Sequence, residues 1–275
     1  MNRMIFEVLL GVGVGLALGL TGSGGILAVP ALALGLHMSI PEAMPIALIA
    51  IGVAAFIGAI DGLRKKTVRY KAALLMAIAG VMLAPLGIKL ALLFPAAVLV
   101  GIFSALLVFI SLRIMIQMLY RPSRADLQGF FEKNCVTNPA TGKFRWSQRC
   151  FLTLGSIGGV SGLLTGMLGV GGGFFLVPAI RQYSDLNAKS TISTSLAVIA
   201  LVSAGTVLQV LSAGAVIPQA GVWFIAAAIV GMFFARLLSS WLSDDFLQMS
   251  FAMLALVAAG LLLHGQFFSM PSDAL

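Results

Sequence analysis

The sequence predicts an all-α polytopic membrane protein of two four-block repeats, the first block of each broken by a glycine-rich segment. Three observations predict it. Hydrophobic residues make up 60% of the 275 and charged residues 9%, against about 25% charged in a soluble domain. The apolar residues fall into eight blocks, most near the roughly 20 residues that a helix needs to cross a bilayer. Two of those blocks are overlong and carry matching glycine runs. A polar shell for a soluble core of this size cannot be made from 17 basic and 9 acidic residues, which excludes a cytosolic enzyme, a secreted disulfide scaffold and a disordered chain.

The blocks cover 4–36, 43–60, 72–93, 96–119, 150–180, 190–211, 218–238 and 246–268. Lipid offers no hydrogen bonds, so helix is the expectation for each. Continuous apolar runs such as Ala96 to Ile110 exclude the alternating pattern of a membrane β-barrel. Met1-Asn2-Arg3 ahead of an apolar run imitates a signal peptide, but no small-residue cleavage site and polar start follow. The segment is expected to be retained.

The first block reads Gly22-Ser23-Gly24-Gly25 into Val29-Pro30, and the fifth reads Gly169-Val170-Gly171-Gly172-Gly173 into Val177-Pro178. At an ungapped offset of 148, Gly11–Leu48 matches Gly159–Leu196 with ten identities, including Gly24, Gly25, Val29, Pro30 and Ala31. This suggests an internal duplication, with a first repeat over 1–119, a basic linker over 120–149 and a second repeat over 150–275. Interrupted hydrophobic segments at matching positions of two repeats point to a transporter's binding site.

Charge gives the orientation. The loop 64–71 carries five basic residues and the stretch 113–149 seven, together 12 of the 17. Both flank spans closely, which puts both in the cytoplasm and makes nucleic acid an unnecessary reading of the net charge of +8. Basic loops of one half match neutral loops of the other, as inverted repeats require. Inversion needs the first block of each half to enter and leave as a hairpin. A single crossing would instead make the repeats parallel.

Glycines unwind helix and let the backbone approach a ligand. The helix restarting after each break presents free N–H groups and a positive dipole end, an anion-binding arrangement. Gly22, Ser23, Gly24, Gly25, Gly171, Gly172 and Gly173 are therefore candidate substrate contacts, with Pro30 and Pro178 marking the helix breaks. The alternative is that these glycines serve close helix packing, as Gly11, Gly15 and Gly19 and as Gly155, Gly158, Gly159, Gly162 and Gly166 are expected to do from their four-residue spacing. Thr191, Ser193, Thr194 and Ser195 open the sixth block, and their hydroxyls either donate to an anion or cap and bond helix carbonyls. Gln209 is a buried polar candidate or interhelical glue. Arg181 attracts an anion or snorkels to the interface, and His37 and His264 fall near block ends.

Cys135 and Cys150 match no zinc spacing and are expected as free thiols. No metal site, cofactor motif or catalytic constellation is indicated, and no P-loop for ATP-driven pumping.

The two glycine breaks running into Val-Pro, with Thr191 to Leu196 following the second, resemble the sulfite exporter TauE/SafE family over nearly the whole chain. The resemblance implies a bacterial inner-membrane permease of about eight helices, moving sulfite, a sulfonate or a related sulfur-containing anion. Its partners would be that small anion and the lipid bilayer, with coupling to protons or the membrane potential. The first half departs from the pattern, because Ala43-Met44-Pro45-Ile46-Ala47 lacks the Thr-Ser pair. That implies a second half richer in polar contacts. An anion channel, or a non-transporting scaffold acting through 120–149, are the other readings of the same sequence.

Overall fold

The computed structural model describes residues 2–22, 24–36, 38, 40–119, 133–137, 144–212 and 219–238, with isolated helical positions between 249 and 263. The described residues form α1 (Asn2–Thr21), α2 (Ala28–Gly35), α3 (Ile40–Arg64), α4 (Tyr70–Leu93), α5 (Ala96–Leu119), α6 (Gln148–Leu168), α7 (Gly173–Tyr183), α8 (Ala188–Ser212) and α9 (Gln219–Leu238). A short 3-10 turn, Gly24–Leu27, leads into α2. The chain is an all-α polytopic membrane protein. Among the described residues five helices are long and apolar enough to cross a membrane, within α3, α4, α5, α6 and α8. Apolar side chains on the outer faces stay exposed, such as Leu74, Met82, Phe109 and Phe233. These suit a surround of lipid rather than water.

Small residues decide the packing. Gly158, Gly162 and Gly166 on α6 meet the backbone of Met76, Gly80 and Ala84 on α4 in ascending order, so the two helices run the same way. A β-carbon on Gly162 would sit 2.0 Å from the Gly80 carbonyl oxygen, which is possible only for glycine. On α1, Gly11 and Gly15 meet the carbonyls of Phe224 and Ala228 on α9, and Gly19 meets Met232 and Ala235. In a membrane such close backbone approach, through dispersion and weak C–H···O contacts, is what holds helices together.

The two interfaces repeat one another. Gly11, Gly15 and Gly19 stand 147 residues before Gly158, Gly162 and Gly166, while their partners Phe224, Ala228 and Met232 stand 148 after Met76, Gly80 and Ala84. The ungapped 148 alignment is therefore one residue out over α1. The reason is local: Gly22 to Gly25 is one residue shorter than Gly169 to Gly173, and Gly22 and Gly169 are the equivalent glycines. Both take φ +70 at a helix end, and each amide bonds the carbonyl four residues back.

The long helices α3 and α8 pack in opposite directions, Gly52 against Ser203 and Gly62 against Ser193. Their contact is also its own counterpart under the offset, since α3 corresponds to α8. The remaining large contacts pair in the same way, α3 with α9 and α8 with α4.

One end of the bundle gathers the basic segments. Thr67 Oγ1 donates to Ser193 Oγ at 3.0 Å, and the Arg69 amide donates to Thr194 Oγ1 at 3.1 Å. The Cys135 amide donates to the Tyr183 carbonyl, and Thr137 donates to Asp185 through its amide and its hydroxyl. Arg113 donates to Gln182. The loop after α3, the described residues 133–137 of the 120–149 stretch and the α7–α8 connection thus share one face. On that face Cys135 and Cys150 form a disulfide, both residues fully buried, which corrects the expectation of free thiols. Sequence spacing carried no sign of it. The chain folds Cys135 back over the first turn of α6, bringing the two Cα atoms to 4.9 Å, inside the range a disulfide needs.

Candidate functional site at the helix breaks

α6 ends at Gly169 in the left-handed conformation, and Gly171 and Gly172 take positive φ before α7 begins. Three such residues within four positions turn the chain sharply, at little steric cost only because they are glycine. The first-half break turns at Gly22 and re-enters helix through Gly24–Leu27. In both halves a long helix therefore arrives and a short one leaves: α2 has 8 residues and α7 has 11.

The two breaks touch each other. A β-carbon on Gly173 would lie 2.8 Å from the Gly22 carbonyl oxygen, and one on Gly25 would lie 3.0 Å from the Val170 carbonyl oxygen. Ile51 of α3 closes over Gly25 and Gly171, and Ile199 of α8 closes over Gly171 and Gly173. Ile51 and Ile199 are counterparts under the 148 offset and lie near the middle of their 25-residue helices. The flanks match as well, with Gly22 against Ile192 and Gly169 against Met44. Among the described residues, the side chains nearest Gly22, Gly25, Gly169, Gly171, Gly172 and Gly173 are uncharged.

The structure brings some of the expected residues together here and others elsewhere. Gly22, Gly25, Gly171, Gly172 and Gly173 meet at the centre, with Gly24 in the turn between, and Ser195 Oγ lies 3.1 Å from the β-carbon position of Gly22. Ser195 also donates to the Ile192 carbonyl at 2.9 Å. Ser23 lies outside the described residues. Thr191 donates to the Asn187 carbonyl in the first turn of α8, while Ser193 and Thr194 accept from the 65–69 loop. These three hydroxyls are engaged at the basic end, away from the breaks. Arg181 is in the last turn of α7, eight residues or about 12 Å along the helix from Gly173. Gln209 lies toward the far end of α8, its Oε1 buried without a partner. Pro30 and Pro178 lie inside α2 and α7, downstream of the turns themselves.

Three hydroxyls at the second break were not singled out from the sequence. Ser161 Oγ donates to the Gly172 carbonyl at 3.3 Å, and Thr165 Oγ1 to the Ser161 carbonyl at 2.7 Å. A β-carbon on Gly172 would lie 2.1 Å from Ser161 Oγ. Ser203, fully buried, has no hydrogen-bond partner, and its Oγ is 3.6 Å from the β-carbon position of Gly171. Ser203 follows Ile199 by one helical turn and so shares its inner face of α8, a relation that shows only once Ile199 is placed against Gly171.

Span-length apolar helices around two broken segments that meet at mid-helix define a multi-pass membrane protein of the broken-helix kind in which transporters bind their cargo. The family model Sulfite exporter TauE/SafE matches residues 8–262, and the chain belongs to that family. The family is one of membrane transporters for sulfur-containing anions. Neither a search of curated proteins nor one of solved structures returned a match.

Proposed function

We propose that the protein is a secondary transporter exporting sulfite, a sulfonate or a related small sulfur-containing anion across the bacterial inner membrane by alternating access. The observation that carries this reading is the meeting of the two glycine breaks between the midpoints of α3 and α8. Irregular backbone at membrane depth is tolerated where it is enclosed by protein or lines a cavity. At the start of α7 the Phe175 and Leu176 amides bond the Gly172 carbonyl, and those of Gly173 and Phe174 have no helix carbonyl to bond.

The packing supports inverted repeats. Helices related by an axis along the membrane normal would run parallel, whereas α3 and α8, counterparts under the offset, are antiparallel. An axis in the membrane plane produces that relation. α6 and α8 then run the same way with α7 returning between them, the hairpin that an odd crossing count needs. The basic end, carrying Lys65, Lys66, Arg69, Lys133 and Arg149, faces the cytoplasm under this reading; disulfides are rare in that reducing compartment, and the Cys135–Cys150 bridge at this end is fully buried, away from soluble thiols.

The interlocked pairs α1–α9 and α4–α6 each join one half of the chain to the other. They are the stiff bodies, and the α3–α8 contact with its two breaks is where one rocks against the other. Transport rather than catalysis is the activity assigned. Purified protein in liposomes tests it: flux of sulfite or a sulfonate should saturate and show counterflow. Unsaturable flux would mean a channel, and no flux of any such anion would sink the reading.

A further inference from the structure

Ser203 is a buried hydroxyl that the fold leaves without a partner. It is fully enclosed at the contact between α3 and α8, its Cβ 2.9 Å from the β-carbon position of Gly52. Its Oγ stands 3.6 Å from the β-carbon position of Gly171, two residues ahead of Gly173, where α7 begins. An unmade hydrogen bond in an apolar interior is costly, so an orphaned hydroxyl beside the glycine turn that leads into α7 is the mark of a missing acceptor. The first-half counterpart of Ser203 is Ala55, so the hydroxyl occurs on one side of the pseudo-symmetric centre.

We infer that Ser203 and the α7 N-terminus form a single neutral-donor site that takes its oxyanion with one negative charge, as a sulfonate or as hydrogen sulfite, and rejects the doubly charged form. This rests on the anion-transport reading and specifies the charge state at that site. The donors are hydroxyl and backbone N–H, and the side chains nearest the breaks are uncharged, Ile51 and Ile199 among them. The solvation energy lost on burying an ion grows as the square of its charge, so a dianion loses about four times as much as a monoanion. Hydrogen bonds from neutral donors grow only in proportion to charge, so the balance falls against the dianion. A buried arginine would reverse it, and Arg181 sits at the other end of α7.

The test is a thermal-shift titration of the full-length protein in detergent against methanesulfonate, sulfite and sulfate, from mildly acid to mildly alkaline pH, with a ligand-free control at each pH. Methanesulfonate holds one charge throughout and should stabilise equally across the range. Sulfite, whose second proton dissociates near neutrality, should weaken about tenfold in apparent Kd per pH unit above that point, and sulfate should give no shift. Ser203→Ala should weaken methanesulfonate about 10- to 100-fold, the loss expected for a hydrogen bond to a charged acceptor. The ligand-free midpoint should stay the same or rise, because the hydroxyl removed was unsatisfied. Ser156→Ala, on the exposed face of α6, should leave binding unchanged. Sulfate or alkaline sulfite binding as tightly as methanesulfonate would overturn the charge-state inference alone. Intact methanesulfonate binding in Ser203→Ala would remove Ser203 from the site. A flat response to all three anions would overturn the substrate reading and the inference with it.

Discussion

Replacing Gly162 by alanine tests the account of how the helices are held. The added β-carbon would stand 2.0 Å from the Gly80 carbonyl oxygen and 2.3 Å from the Gly80 Cα. Carbon–oxygen contacts across close helices settle near 3.3–3.6 Å, so α4 and α6 must part by more than about 1 Å. The obstructing atoms are backbone, so no rotamer change relieves the clash. Parting also pulls Gly158 and Gly166 off Met76 and Ala84, and a gap of about 0.5–1 Å forfeits a quarter to a half of each contact. Overpacking costs about 1–3 kcal/mol, and this site belongs at the upper end. Gly155→Ala on the same helix meets nothing within 4 Å and should gain up to about 1 kcal/mol in helix propensity. At about 2–4 °C per kcal/mol for a chain of this size, Gly162→Ala should lower the thermal midpoint in detergent by about 6–12 °C while Gly155→Ala does not lower it. Gly15→Ala, its β-carbon 2.1 Å from the Ala228 carbonyl oxygen, should match Gly162→Ala. Equal midpoints for Gly162→Ala and Gly155→Ala would refute the packing argument.

Three further outcomes follow from named contacts. Cys150→Ser should cost about 3 kcal/mol, the loop-closure term for a 15-residue separation, and because both cysteines are buried the bridge is checked in denaturant, where unreduced protein should resist maleimide labelling; ready labelling of both thiols there would contradict the bridge. Gly169→Ala places a β-carbon 2.8 Å from Met44 at φ +70, so it should lose at least about 1–2 kcal/mol for the left-handed backbone, read as a lower midpoint. Thr194→Val removes the acceptor for the Arg69 amide and should lower stability by about 1–3 kcal/mol for the amide left unsatisfied, yet leave anion Kd within twofold; a large Kd change would return Thr194 to the substrate site.

The helices were legible because membrane spans write themselves as long apolar runs, and the described helices fall within a few residues of the first seven blocks. The breaks were legible for a related reason, since Gly169 to Gly173 interrupts a run that lipid would otherwise have kept continuous. What the sequence hid was direction. Ser193, Thr194 and Ser195 are consecutive, yet a helix turns 100° per residue, so Ser193 and Thr194 go to the basic loop and Ser195 to Gly22. A cluster in sequence was read as a cluster in space. Ser203 stood alone among apolar neighbours and carried no such signal until Ile199, one turn earlier, was seen against Gly171. The disulfide was hidden because a polar stretch has no periodicity from which its fold can be read.

The one-residue difference between the breaks bears on how the site became one-sided. Two copies of a duplicated unit give two equivalent pockets if nothing distinguishes them, and an anion on the pseudo-axis would then be held equally from both sides. The extra residue between Gly169 and Gly173 gives the second half a glycine turn with positive φ at Gly169, Gly171 and Gly172, where the described first half has Gly22. It also leaves Ser161, Thr165 and Ser203 beside that turn, whereas their first-half counterparts, Val14 and Leu18 on α1 and Ala55 on α3, carry no hydroxyl. The scaffold is therefore symmetric where stiffness is needed, at the glycine interfaces of α1 with α9 and α4 with α6, and asymmetric where a ligand would sit. Under the transport reading proposed above, an inverted pair would expose its centre to either side of the membrane by the same rocking motion, and the donors would stay on one half and hold the same anion in both states.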